Sequence, residues 1–246
     1  MWKTLAIFAI GDLHLSFNKF VKLDEINPET DIEKPMDIFG WLNHYDLIRD
    51  HWLKQVRSND TVLIPGDISW AIRWEQAQYD FDWIAQLPGR KICSPGNHEY
   101  YYHSKKKIRE ALPEGIEWID ADYTVVEGAV VAGTRGWSLP GDPFYQEETD
   151  RKIYERQAGR LRLALEAAQK DHPDKEKIVM LHFPPITKHA KESKYMEIMK
   201  EFGVTLCIYG HMHGKSAEDA IQGEVDGIDL RLVACDALKF CPARLR

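Results

Sequence analysis

The sequence predicts an α/β fold: two packed mixed β-sheets, a β-sandwich, flanked by helices. Two patterns predict it. In the first part of the chain, short apolar runs alternate with helical periodicity, the βαβ rhythm of largely parallel strands joined by right-handed crossovers. From about Asp120 the pattern shifts to a hairpin and a strand of strict alternation, the signs of antiparallel pairing. The length, 246 residues, suits one α/β domain with a large core, and residues 1–246 are read as a single domain.

Each element has its own signal. Leu5–Ile10 is continuously apolar, as expected of a strand buried on both faces. Ser16–Trp41 is the least regular part, with Pro28, Pro35, Gly40, many charges and four large rings, Phe17, Phe20, Phe39 and Trp41. A loop of that length inside a compact domain is usually functional or disordered. Two readings stay open, a flap over the cleft and a surface loop with a few packed rings. His44–Arg57 reads as a helix with Ile48, Trp52 and Val56 on one face, and His44 and His51 are placed on its surface.

Asn59-Asp60 turns into a strand over Thr61–Pro65. Trp74, Ala77, Phe81 and Ile84 are spaced for a helix that ends at Pro88-Gly89, and Lys91–Pro95 is the next strand. Tyr100, Tyr101 and Tyr102 follow, as stacking platforms for a ligand or as core. Tyr123–Glu127 and Ala129–Thr134 form the hairpin through Gly128. Asp150–Lys170 is a long helix with Tyr154, Ala158, Leu161, Leu165 and Ala168 along one face. Ile178–Leu181 is a strand stopped by Pro184-Pro185. A short helix near Tyr195–Phe202 leads to a strand over Thr205–Tyr209. After the turn signal Asp226-Gly227, Ile228, Leu230 and Leu232 alternate with Asp229 and Arg231, a half-exposed antiparallel strand.

Composition narrows the function. Hydrophobic residues are 44% and charged ones 29%, ordinary for a globular protein. A net charge of −7 argues against a broad nucleic-acid-binding face. The four cysteines, Cys93, Cys207, Cys235 and Cys241, show no C-x-x-C spacing and read as reduced thiols, hence a cytoplasmic protein. No apolar run is long enough to span a membrane, and Met1-Trp2-Lys3-Thr4 running straight into a strand argues against a signal peptide. Repeats and low-complexity segments are absent.

The chemistry lies at the ends of the apolar runs. Gly11-Asp12-Leu13-His14, Gly66-Asp67, Gly96-Asn97-His98-Glu99 and Gly210-His211-Met212-His213 each follow a strand, and His182 follows another. Each run ends in a metal-ligand type, four of them directly behind a glycine. An amide, an imidazole and a carboxylate in a row suit no core; they suit loops at strand ends, where a sheet aims side chains into a cleft. Asp12 and His14, two apart on an extended segment, are expected to point the same way. The donors are carboxylates, imidazoles and an amide without thiolate. That set suits two divalent ions, manganese first, with iron, zinc or cobalt as alternatives.

These five signatures, D-x-H, G-D, G-N-H-E, H and G-H-x-H in order, resemble the calcineurin-like metallophosphoesterase superfamily, and less closely a group of small bacterial-type phosphohydrolases. The resemblance covers Asp12 to His213. It implies a β-sandwich flanked by helices with the motifs on loops at one edge. It assigns Asp12, His14, Asp67 and His213 to one metal, and Asp67, Asn97, His182 and His211 to the other, with Asp67 bridging. It leaves His98, beside Asn97, as the imidazole that is not a ligand, and so as the candidate general acid.

The expected activity is that of a two-metal phosphoesterase, hydrolysing a phosphomonoester or phosphodiester by attack of a metal-bridging hydroxide. A metal-dependent nuclease on the same chemistry is the alternative, and a non-catalytic scaffold of the same fold is a weaker one, since scaffolds lose ligands. The expected partner is a small phosphoester. Gly66-Asp67-Ile68-Ser69-Trp70 lacks the further acid and arginine that protein phosphatases of the superfamily place there, which disfavours phosphoproteins. Arg135 is either a phosphate clamp in their place or a surface arginine. An acidic partner is expected for His98; Glu99 is adjacent but is not assigned to it.

Overall fold

The computed structural model describes residues 5–246, with Ile38 described by its backbone only. The reading of Met1–Thr4 lies outside the described residues. Among the described residues, eleven strands form two sheets, and six α-helices accompany them, with helices on both outer faces. The first sheet contains β1 (Ile7–Ala9), β2 (Thr61–Pro65), β3 (Arg90–Ser94), β4 (Ile116–Trp118) and β11 (Ala243–Arg244), in the order β11-β1-β2-β3-β4. The strands β1 to β4 run parallel, and β11 is antiparallel to β1.

The second sheet contains β5 (Asp122–Val126), β6 (Ala129–Thr134), β7 (Lys177–Leu181), β8 (Val204–Tyr209), β9 (Gly223–Val225) and β10 (Ile228–Leu232), in the order β5-β6-β7-β8-β10-β9. Its centre is parallel and its two edges, β5 and β9, are antiparallel. The predicted fold class holds. One pairing differs from expectation: β10 alternates as predicted, but it lies parallel to β8 and only its other side is antiparallel. Alternation reports which faces are buried, and strand direction leaves no trace in it.

Strand periodicity sorts the core into three layers. Ile7, Ala9, Leu63, Ile92, Val131, Ile178, Met180 and Ile208 fill the space between the sheets. Their neighbours Phe8, Val62, Ile64 and Cys93 face outward. There they meet α2 (His44–Gln55), α3 (Trp74–Gln86) and α4 (Lys105–Ala111) through Ile48, Trp52, Phe81, Ile84 and Ile108. On the other side Val179, Leu181, Cys207, Tyr209 and Leu230 meet α5 (Glu147–Asp171) and α6 (Lys194–Glu201). The helical faces read from spacing are the buried ones: Ile48 and Trp52 on α2, and Tyr154, Ala158, Leu161, Leu165 and Ala168 on α5. The four cysteines are unpaired.

Residues 16–41 are built rather than loose. Asn27 caps α1 (Pro28–Asp31), Met36–Phe39 forms a 3-10 turn, and Phe17 bridges Ile32. Phe17 and Trp41 are buried, while Phe20 and Phe39 are more than half exposed. The segment packs on the α2–α3 layer, where Phe17 meets Tyr45 and Trp83. His44 is not on the helix surface as expected. It is buried, and its Nε2 donates to the Leu13 carbonyl at 3.0 Å. A single position on a helix does not announce an inward turn when its partner is a backbone carbonyl 31 residues away.

Asp80 on α3 ties this segment to the next loop. Its Oδ1 accepts from the Phe17 amide at 2.7 Å, and its Oδ2 accepts from the Ser69 hydroxyl. Burial pushes its carboxyl up to about 8. The native state therefore keeps a proton that the unfolded chain, with an ordinary Asp near 3.9, has released. A raised acid pKa contributes stability at low pH and loses it as pH climbs towards the folded value. The thermal midpoint is expected to fall between about pH 5 and pH 8. Asp80→Asn, which cannot ionise, removes that component. Parallel melting profiles for the two proteins across this range would show that Asp80 titrates normally.

Candidate metal centre

The five sequence signatures meet at the carboxyl ends of parallel strands from both sheets. Asp12 and His14 follow β1, Asp67 follows β2, Asn97 and His98 follow β3, His182 follows β7, and His211 and His213 follow β8. Open α/β sheets place ligand sites at this edge, because the strands fix the loops that leave them. Here the loops are also laced together across the two sheets. The Asp12 amide donates to the Gly66 carbonyl and the His14 amide to the Asp67 carbonyl, both at 3.0 Å. The Gly210 amide donates to the His182 carbonyl at 3.0 Å. The His211 amide donates to the Asp12 carboxylate at 2.9 and 3.1 Å.

The local backbone is unusual. Asp12, His14, Asp67 and His211 have φ of 55°, 45°, 51° and 68°. Asp12 and His14 are thus not on an extended segment as expected; each sits in a left-handed turn. Such non-glycine conformations cost energy and are held where the surroundings over-determine them. Close approach explains two of the glycines. A Cβ at Gly96 would lie 2.5 Å from the Asp67 amide nitrogen and 2.9 Å from its Cγ, and one at Gly210 would strike the Asp12 carboxylate.

The side chains converge. Asp12, His14 and His213 place donor atoms within 4.8 Å of one another, and so do Asp12, Asp67 and His182. Asn97 Oδ1 lies 2.8 Å from His182 Nε2 and 2.9 Å from His211 Nδ1. Asp67 Oδ2 lies 3.4 Å from His182 Nε2, 3.8 Å from His14 Nε2 and 3.9 Å from His98 Nε2. The His182 ring is fixed by its Nδ1, which donates to the Pro65 carbonyl at 3.0 Å and leaves Nε2 as the lone-pair nitrogen facing the centre. The His14 ring stacks on Trp70, with centroids 4.6 Å apart. Trp41, from the 16–41 segment, packs against His14 and His213 at 5.9 and 5.7 Å.

The electrostatics suit cations. Burial and the nearby Asp67 push the Asp12 carboxyl well above its usual range. Burial also pushes Asp67 up, but the charged forms of His182, His14 and His98, with a hydrogen bond from the His98 amide, outweigh it and hold that carboxyl below its usual value. Burial drives His14 and His211 down to about 3 and lowers His182, so these imidazoles are neutral, the state in which they bind metal. Both ring nitrogens of buried His14 lack a hydrogen-bond partner. An orphaned imidazole beside two buried carboxylates, with nitrogen and oxygen donors and no sulfur, fits divalent ions.

His98 stands differently. It is half-buried, its ring edges onto Trp70 at 4.3 Å, and burial lowers its pKa against the opposing pull of Asp67. The expected acidic hydrogen-bond partner is not found among the described residues; the closest carboxylate oxygen is that of Asp67, at 3.9 Å. Glu99 faces away, into the loops. Its carboxylate accepts from the amides of Gly96 at 2.5 Å, Ile68 at 2.7 Å and Asp67 at 3.2 Å. It therefore straps the loop after β2 to the loop after β3. The tyrosine run divides three ways: Tyr101 is buried, Tyr102 donates to Asp120 at 2.8 Å, and Tyr100 is exposed. Arg135 lies half-buried, its guanidinium 4.5 Å from the centroid of the Trp137 ring. Spacing did not reveal His44 or Trp70 as supports of the His14 loop. Trp70, three residues beyond Asp67, was the visible hint.

The Glu99 strap is testable apart from turnover. Glu99→Gln keeps the size but loses one acceptor oxygen and turns an amide group towards N–H donors. Metal affinity is expected to fall by roughly 10- to 100-fold, as for other supports of ligand loops. Titration calorimetry on the folded variant reads this directly, and unchanged affinity would remove Glu99 from the positioning of Asp67 and Asn97.

A search of the curated proteins found no match. Among solved structures, a protein of unknown function from Aquifex aeolicus, AQ665, is 17% identical, with 98% of this chain and 95% of that chain covered at a TM-score of 0.49. Phosphopantetheinyl hydrolase (PptH) from Mycobacterium tuberculosis is 13% identical, with 95% of this chain and 90% of that chain covered at a TM-score of 0.58, a likeness of fold. The family model for calcineurin-like phosphoesterases matches residues 5–215, and the chain belongs to that family.

Proposed function

We propose that this protein hydrolyses a small phosphomonoester or phosphodiester with two divalent ions, manganese first among them. The observation that carries the reading is the convergence on one point of Asp12, His14, Asp67, Asn97, His182, His211 and His213, with His14 buried and unpartnered. One ion is assigned Asp12, His14, Asp67 and His213, and the other Asp67, Asn97, His182 and His211. When bound, such a pair supplies charge neutralisation for the phosphate oxygens and acidifies water to serve as nucleophile near neutral pH.

The chain's own residues do the rest. Asp67 faces three imidazoles from three loops, which supports its assignment as the shared carboxylate. The Pro65 carbonyl holds His182 in the tautomer that presents Nε2. Asn97 Oδ1 contributes a neutral donor between two imidazoles, which limits the negative charge gathered there. His98 is the residue assigned to protonate the leaving oxygen. It is half-buried beside Asp67, and its Nδ1 has no hydrogen-bond partner. The unpaired cysteines support a reducing compartment, hence the cytoplasm. No helix among the described residues is long and apolar enough to cross a membrane. Turnover of p-nitrophenyl phosphate against bis(p-nitrophenyl) phosphate, with each metal added in turn, tests the reading; no turnover of either with any metal would overturn it.

Two variants test the assigned roles. His98→Gln is expected to retain both metals and to lose roughly 10²–10⁴-fold in kcat on alkyl phosphates, whose leaving group needs a proton. The loss should shrink on nitrophenyl esters, and an equal loss on both would show that His98 does something else. Asp67→Ala is expected to weaken both metal sites, whereas His14→Ala and His182→Ala each weaken one. Metal content of the purified proteins decides this. Two tightly held ions in Asp67→Ala would exclude the bridge.

A further inference from the structure

Beside the metal centre lies a cavity of about 820 Å³. It reaches the centre along one side only: of the seven candidate ligands, Asn97 alone lines it. Its walls carry Lys105, Arg135, Arg156 and Arg160, with Tyr102 and Trp137 as aromatic faces. In a chain of net charge −7, four cationic side chains around one cavity call for a cause.

Two of the four are already neutralised. Arg160 pairs with Asp120, and Lys105 pairs with Asp122 at 2.8 Å. Arg135 and Arg156 form no ion pair among the described residues. The buried Nε of Arg135 has no hydrogen-bond partner, and its guanidinium carbon lies 4.5 Å from the centroid of the Trp137 ring. Arg156 lines the same cavity, so the two guanidinium groups face one space. Asp120 and Glu99 also line the cavity, but Asp120 pairs with Arg160 and neither acid pairs with Arg135 or Arg156, and a bound anion gives both guanidinium groups a direct partner. Asn97 lines the cavity and His14, His213 and Asp12 do not, so an anion held by Arg135 and Arg156 is assigned a place beside the phosphate held by the ions.

We propose that Arg135 and Arg156 form a subsite for a second phosphate on the substrate, which makes the substrate class a phosphoester bearing a further phosphate beyond the scissile bond. The inference rests on the phosphoesterase reading above and adds the substrate's second charge to it. Guanidinium groups bind phosphate through paired N–H donors. The cavity is large enough for the group that connects the two phosphates, within the usual range for small-molecule sites. Tyr102 and Trp137 offer ring faces to a flat part of that group.

The test uses a matched pair, the p-nitrophenyl ester of a nucleoside monophosphate with and without a second phosphate on the free sugar hydroxyl. With the metal-loaded wild type, KM is expected to be roughly 10- to 100-fold lower for the ester with the second phosphate, the range for a charge-assisted hydrogen bond. The preference should collapse in Arg135→Ala and in Arg156→Ala and survive in part in Arg156→Lys. Arg156 is exposed, so its variants keep the test valid if Arg135→Ala fails to fold. Equal KM values in the wild type, or a preference that survives both alanine variants, would overturn the subsite. Calorimetric binding of the nucleoside bisphosphate against the monophosphate separates the two claims. If neither ester turns over but the bisphosphate binds more tightly and Arg156→Ala abolishes the difference, the subsite stands and the phosphoesterase reading falls. If neither ester turns over and the two bind equally, both fall.

Discussion

Two carboxylates, Asp12 and Asp67, are buried at the meeting point of the two sheets with no lysine or arginine paired to either among the described residues. Burying an ion without a partner costs several kcal/mol even after relaxation. The surrounding groups compensate only in part. The His211 amide donates to Asp12 and the His98 amide to Asp67, and three neutral imidazoles approach Asp67. The rest of the edge is arranged around that residual negative charge. Strands from both sheets end there, the loops are laced by main-chain hydrogen bonds, and tryptophans close over the histidines. A centre that gathers buried carboxylates and neutral donors is matched to cations, and a cation bound there would return stability that its assembly costs.

Geometry adds a second cost to the same place. Four of the seven candidate ligands occupy left-handed backbone positions that only glycine adopts freely. The conformations persist because hydrogen bonds on either side fix them. The Asp12 and His14 amides are bonded to the loop after β2, and His44 reaches from α2 to hold the Leu13 carbonyl between them. Glu99 does the same for the loops after β2 and β3 with three amides on one carboxylate. Buried polar groups with no catalytic assignment are in this way part of the site, since a ligand displaced by a fraction of an ångström is a weaker ligand.

Much of this was legible in the chain because strand ends leave local marks. An apolar run followed by glycine and a ligand type records two physical facts. The sheet delivers the residue, and the preceding position has no room for a Cβ, as at Gly96 against Asp67 and Gly210 against Asp12. The helical faces of α2, α3 and α5 were legible for a similar reason, because burial repeats at the helical period. What was not legible depends on long-range contacts. His44 looked like a surface histidine because its partner is a backbone carbonyl on another loop. The direction of β10 was hidden because a strand's alternation is the same whichever way its neighbour runs. The acid expected beside His98 had a candidate next to it in sequence, but Glu99 turns into the backbone instead.

The cavity walls show the same limit from the other side. Arg135 sits just past the end of β6, within reach of a sequence argument, and it could be weighed as a phosphate clamp. Arg156 could not, because it lies mid-helix on α5 where a charged residue is the ordinary surface choice. Only the packing of α5 on the second sheet brings it to the cavity that Arg135 lines. The candidate metal ligands come from strand ends, whose positions are fixed by pairing. Arg156 and Arg135 come from a helix and a loop, whose positions are set by how layers stack. A family motif can therefore mark a cluster of strand-end residues in the chain while leaving unmarked the residues that line the space beside it.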